Sequence, residues 1–254
     1  MSVPSAFSLA GRRIVVTGAN TGIGQGVAVA VARAGGTVIG VGRSAMDETE
    51  TKISEAGGSF ISAHADLADR EASRSLIDDL WSEHGSLDGL VNNAGIIRRA
   101  DAVDFSEADW DDVIDINLSS LFFLSQAYGR RLLAEGRRGK IVNIASLLSF
   151  QGGIRVASYT ASKHGALGIT RVLACEWAAK GINVNAVAPG YIVTNNTEAL
   201  RADEKRSAAI LERIPAGRWG TPDDIGDATV FLLAPASDYM HGAVIPVDGG
   251  WLAR

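Results

Sequence analysis

The chain has 254 residues, a formal net charge of −5, 46% hydrophobic and 21% charged residues. That length supports one substantial buried core, and the acidic balance argues against a general binder of nucleic acid or anionic membrane. A single cysteine, Cys175, excludes an intrachain disulfide framework. No apolar run reaches bilayer length and the N-terminus lacks a basic-then-apolar signal, so a soluble, cytoplasmic protein is expected.

Along the chain, short β-branched runs alternate with longer stretches of helical periodicity. Ile14 to Val16 leads into a glycine-rich turn and an Ala/Val-rich helix from Val27 to Ala34, and Val38 to Val41 follows. Phe60 to Ala63, Gly89 to Val91, Lys140 to Ile144, Ile182 to Val187 and Ala243 to Val247 continue the series. Near-continuous apolar runs separated by helix-length crossovers read as buried parallel strands. They predict an α/β fold: a doubly wound parallel sheet of about seven strands, helices on both faces, in a single domain over residues 1–254. The polar stretch 194–220 breaks the rhythm. It reads as a lid over a ligand at the carboxyl edge of the sheet, or as a surface excursion. Cys175, in an apolar helical stretch, is expected in the core, and Trp219 and Trp251 in packing or an interface.

The first strand runs into Thr17-Gly18-Ala19-Asn20-Thr21-Gly22-Ile23-Gly24. Glycines there let the backbone turn sharply and approach a pyrophosphate, which then faces the amides opening the next helix. A nicotinamide dinucleotide is the expected cofactor. After the second strand stands Arg43 rather than an acid, which permits a 2′-phosphate and hence NADP; a solvated loop cation is the plain alternative. Asp66, in Ala65-Asp66-Leu67, suits an adenine amino group or a helix N-cap. Asn93, Ala94 and Gly95 follow the fourth strand at the same edge, small enough to admit a ribose, with Asn93 able to brace the strands.

Ser146 ends the fifth strand, and Tyr159 and Lys163 lie four residues apart in the helical segment after it, on one face. A phenol titrates near ~10, too high for proton transfer at neutral pH, and a neighbouring ammonium would lower it. Ser146 could steady charge on a substrate oxygen. Asn117, on a helix, could hold a water linking Lys163 to solvent. Arginine offers a fork suited to a carboxylate. Arg155, with Gln151 beside it, lies between Ser146 and Tyr159; Arg99 follows the cofactor loop and Asn195 opens the supposed lid. The four histidines have no metal-ligand spacing, and no metal is expected.

Together these residues resemble the short-chain dehydrogenase/reductase family, over essentially the whole chain from Thr17 to Val247-Asp248-Gly249-Gly250. The resemblance implies a Rossmann-type fold and a catalytic set of Asn117, Ser146, Tyr159 and Lys163, with Tyr159 as general acid/base. It implies that Lys163 bonds the nicotinamide ribose, that Ile192 and Thr194, after Pro189-Gly190, meet the carboxamide, and that the protein is a homotetramer. Stretches outside the general motifs, among them Ile97-Arg98-Arg99, Gln151 to Val156 and Arg213 to Gly220, resemble members that act on keto and hydroxy sugar acids. That narrower likeness implies a sugar-acid substrate and leans to NAD, with NADP open. The alternatives are a 3-oxoacyl-carrier-protein reductase and a dinucleotide-binding sensor without turnover.

Overall fold

The computed structural model describes residues 5–254. Its strands are β1 (Arg13–Thr17), β2 (Thr37–Gly42), β3 (Ser59–His64), β4 (Gly89–Asn92), β5 (Gly139–Ile144), β6 (Ile182–Pro189) and β7 (Val244–Val247). They form one parallel sheet in the order β3-β2-β1-β4-β5-β6-β7. Every residue of the central strands β4, β5 and β6 is buried, whereas the edge strands β3 and β7 are partly open. The run-like hydrophobicity of the inner strands follows from burial on both faces.

The helices are α1 (Gly22–Arg33), α2 (Asp47–Glu55), α3 (Arg70–His84), α4 (Glu107–Ile114), α5 (Ser120–Glu135), α6 (Ala157–Trp177), α7 (Glu198–Ala202), α8 (Glu204–Arg213) and α9 (Pro222–Leu233). Alternation along β1 divides the core. Ile14 and Val16 pack with Val27 and Val31 of α1 and Ile225 and Leu232 of α9 on one face. Val15 packs with Leu80 of α3, Tyr128 of α5 and Trp177 of α6 on the other. Each such side chain contributes roughly 1.5–3 kcal/mol when fully buried. The sheet is therefore a rigid platform whose carboxyl-end loops can be specialised.

Cys175 does not join that core. It is exposed on α6, near Val172, which is 47% exposed, while Leu173, Ala174 and Trp177 take the buried face. An apolar stretch in a long helix does not reveal which side meets the sheet. No helix among the described residues is long and apolar enough to cross a membrane.

The 194–220 excursion leaves and returns through a neck. Ile192 and Gly220 form a bridge, Val193 N donates to Gly220 O at 2.9 Å, and Gly220 N donates to Tyr191 O at 2.9 Å. Neither α7 nor α8 has a buried residue. Its foot is anchored where Ile214 and half-buried Ile210 pack with Leu147 and Trp251. Trp251 and Trp219 both pack against Tyr191, tilted and edge-on, with ring centres 4.7 and 5.5 Å away, so the two tryptophans are packing residues.

Candidate active site

The sheet order reverses between β1 and β4, and a crevice opens at such a switch point beyond the carboxyl ends of the strands. The turns after β1 and β4 are locked together there. Asn93 Nδ2 donates to Thr17 O at 2.9 Å, and Thr17 Oγ1 accepts from the amides of Asn93 and Ala94, each at 3.0 Å. Gly18 has φ +66°, and a Cβ on Gly24 would collide with the Gly18 carbonyl oxygen and the Asn93 amide. Thr21 precedes α1 without capping it by its side chain, so the first amides of that helix receive no side-chain acceptor. A backbone cradle with free helix-terminal donors fits a dinucleotide pyrophosphate.

The cleft above has a volume of about 380 Å³. It is lined by Gly18, Asn20, Thr21, Gly22, Ile23, Gly24, Arg43, Asp66, Leu67, Asn93, Ala94, Gly95, Pro189, Gly190, Ile192 and Thr194, all expected at the cofactor. Asn20 Nδ2 is held by Ser44 Oγ at 2.8 Å beside Arg43, and Asp66 is the one acidic residue of the lining. Asp66 is not the N-cap of α3; that role falls to Asp69, whose carboxylate accepts from the Glu71 and Ala72 amides. Ile96, Ile116, Val41 and Thr197 also line the cleft and were not expected there. An isoleucine in a β-rich sequence reads as core, and nothing local distinguishes one that walls a cavity.

Ser146, Tyr159 and Lys163 meet in the same cleft. Ser146 follows β5 and caps a 3-10 turn, Leu147–Ser149, its Oγ accepting from Leu148 N at 3.2 Å. Tyr159 and Lys163 stand one turn apart on α6, with the lysine Nζ 5.6 Å from the phenol ring centre. Lys163 is buried; its Nζ donates to Ile144 O at 2.7 Å, and desolvation pulls the ammonium down to about 8. Burial pushes the Tyr159 phenol above its ordinary value, opposed by hydrogen bonding to Ser146 and then by the charge of Arg99. Among the protein's own groups, then, it is Ser146 and Arg99 that favour the phenolate; Lys163 directs its proton to a backbone carbonyl. Burial is the larger of these effects.

Asn117 lies in a π-helical turn, Asp115–Ser119, rather than in regular α-helix. Its amide is occupied: Oδ1 accepts from Ile96 N at 2.8 Å, and Nδ2 donates to Ile96 O at 2.9 Å and Ser162 Oγ at 3.3 Å. The side chain clamps the 96 loop and does not line the cleft, so its amide is not the group free to hold a water.

On the substrate side the structure separates the candidates. Arg155 is paired with Asp101, Nε to Oδ1 3.1 Å, and does not line the cleft. It is the one non-glycine residue among those described with positive φ, +64°, and its carbonyl accepts from Ala100 N at 3.2 Å. Gln151 accepts from Trp251 Nε1 at 3.2 Å. Arg98 is held by Asp109 and Asp112 at 3.1 and 3.2 Å. Arg99 does not line the cleft either, but it is exposed, in no ion pair among the described residues, and close enough for its charge to act on the phenol. Asn195 lines the cleft, as does Asn196.

A nucleotide-sized crevice at a switch point, with a Tyr/Lys pair beside a strand-end serine, defines a dinucleotide-dependent oxidoreductase. The family model described as enoyl-(acyl carrier protein) reductase matches residues 18–252. The chain belongs to the short-chain dehydrogenase/reductase family. More particularly, it is 56% identical to 2-dehydro-3-deoxy-D-gluconate 5-dehydrogenase of Escherichia coli, over 98% of this chain and 99% of that protein. The enzyme of the same name from Dickeya dadantii is 54% identical over the same shares. A solved structure from Agrobacterium tumefaciens, described as a candidate 2-deoxy-D-gluconate 3-dehydrogenase with bound NADP, is 62% identical. It has a TM-score of 0.95 and covers 99% of this chain and 100% of that one.

Proposed function

We propose that this chain is a sugar-acid dehydrogenase that interconverts the C5 alcohol of 2-dehydro-3-deoxy-D-gluconate and the corresponding ketone. The observation that carries this reading is that Ser146, Tyr159 and Lys163 share the cleft with the glycine cradle. The 56% and 54% identical relatives of that name support the substrate.

A bound nicotinamide dinucleotide supplies the hydride for reduction or takes it in oxidation. The 18–24 turn would hold its pyrophosphate, Asp66 its adenine, and Lys163 and the Pro189–Thr194 segment its nicotinamide end. Arg43 and the Asn20–Ser44 pair suit a 2′-phosphate, and the A. tumefaciens structure carries NADP, so NADP(H) is the cofactor favoured here over NAD(H). In oxidation the substrate hydroxyl gives its proton to the Tyr159 phenolate, and in reduction the Tyr159 phenol returns a proton to the developing alkoxide. Ser146 hydrogen-bonds the same substrate oxygen as charge builds on it. Ser146 and Arg99 stabilise the phenolate once its proton has left, while Lys163, its Nζ anchored on Ile144 O, holds the nicotinamide ribose. Arg99 takes the substrate carboxylate, since Arg98 and Arg155 are already paired.

The residues 194–220 act as a lid on the neck at Ile192 and Gly220, with Asn195 contributing from its start. The exposed α6 face carrying Val172 and Cys175 supports self-association, as a homotetramer, which sedimentation measures directly.

Rates with NADH and NADPH against a panel of keto and deoxy sugar acids and one acyl thioester test the assignment. Preference for the 5-keto sugar acid is expected, and preference for the thioester overturns it. Tyr159→Phe should lower turnover by about 10²–10⁴ with dinucleotide affinity retained; unchanged turnover removes Tyr159 from the chemistry.

A further inference from the structure

We propose that Ser149 is a positioning residue for the proton-transfer set, its hydroxyl tying the Ser146 turn to α6 at Lys163. This rests on the roles given above to Ser146, Tyr159 and Lys163. Ser149 is 5% exposed and does not line the cleft, so it cannot touch substrate or cofactor. Its Oγ accepts from Ser146 N at 3.3 Å and donates to Lys163 O at 2.8 Å. Its own amide donates to Ser146 O at 3.0 Å. One buried hydroxyl therefore joins the backbones of two site residues that come from different elements.

A buried serine always needs a partner, and the plainest reading of Ser149 is a satisfied core hydroxyl. Its choice of partner argues for more. The Lys163 carbonyl sits inside a 21-residue helix, where the helical ladder already supplies a donor, so that carbonyl does not require Ser149. The link is also placed where it matters mechanically. Between the 3-10 turn and α6 runs a segment with Gly152, Gly153 and the 90%-exposed Ile154, which cannot by itself hold Ser146 at a set distance from the phenol. The Ser149 hydroxyl shortcuts that segment.

A second serine behaves alike on the other flank. Ser162 Oγ donates to Tyr159 O at 2.8 Å and accepts from Asn117 Nδ2 at 3.3 Å. Two hydroxyls outside the cleft thus connect Asn117, Ser146, Tyr159 and Lys163. Proton transfer is sensitive to displacements well below an ångström, so loosening one tie should act on turnover more than on binding.

Ser149→Ala should lower kcat by about 10- to 100-fold. Substrate KM and dinucleotide Kd, from fluorescence titration, should stay within about twofold. The acidic limb of kcat for oxidation should move to higher pH, because the phenol loses the well-placed Ser146 hydrogen bond. In a Ser146→Ala background the same substitution should cost less than about twofold, since the group it positions is gone. Ser149→Thr, which keeps the hydroxyl, should regain most of the turnover. Wild-type kcat in Ser149→Ala overturns the proposal, as does an undiminished loss in the Ser146→Ala background, or a loss that follows Tm with no shift in the pH limb. If Ser149→Ala does not fold, Ser149→Cys, close in size but a weak donor, carries the same test, and a wild-type kcat and pH limb there overturn it. Tyr159→Phe is run alongside. Turnover surviving in that variant removes the underlying mechanism, whereas an inactive Tyr159→Phe beside a fully active Ser149→Ala removes only the positioning role.

Discussion

The cofactor corner and the substrate rim share one cleft but are built on opposite principles. At the corner, the turns after β1 and β4 are joined by Thr17 and Asn93, and a Cβ on Gly24 has nowhere to go. At the rim, the arginines are half-buried or exposed, two of three are paired with aspartates, and α7 and α8 bury no residue. A dinucleotide presents the same phosphates to every enzyme that uses it, so a backbone cradle in one geometry suffices. Substrate choice depends on where a few charges sit, and loops outside the core can change those without disturbing the sheet.

That contrast can be broken most directly at Gly24. Gly24→Ala should abolish dinucleotide binding in a titration and destabilise the fold by about 1–3 kcal/mol in a denaturant melt, because the added methyl forces the two turns apart. Binding close to wild type would show the corner to be pliable. At the rim, Arg99→Ala should raise KM for the sugar acid by about 10- to 100-fold, the loss of a charge-assisted contact, with little change for an uncharged ketone. Arg99 lowers the phenol, so its removal raises the Tyr159 pKa. The pH above which oxidation proceeds should then move up, which a kcat profile for oxidation of the matching uncharged alcohol reads.

Arg43→Ala sharpens the contrast, being a side-chain contact at the corner itself. It should weaken NADPH by about tenfold while leaving NADH nearly unchanged, measured as the ratio of the two kcat/KM values. The smallest effect belongs to Arg155. Its pair with Asp101 is more than half exposed on both sides, so Arg155→Ala should change stability and KM by no more than a few-fold, about 1 kcal/mol. A large KM effect confined to acidic substrates would return Arg155 to the carboxylate and displace Arg99.

Much of this was legible in the amino-acid order because it is local. Runs such as Val38 to Val41 become strands by their burial, the turn from Gly18 to Gly24 needs its glycines within seven residues, and Tyr159 and Lys163 share a face through the helical repeat. Tertiary packing alone decided the rest. Gln151 lies 100 residues from the Trp251 that holds it, Asn117 lies 45 from Ser162, and Arg155 is turned to Asp101 rather than into the cleft. A polar side chain is satisfied by whichever partner folding brings within reach, and that partner is set by the stacking of distant elements, not by its neighbours in the chain.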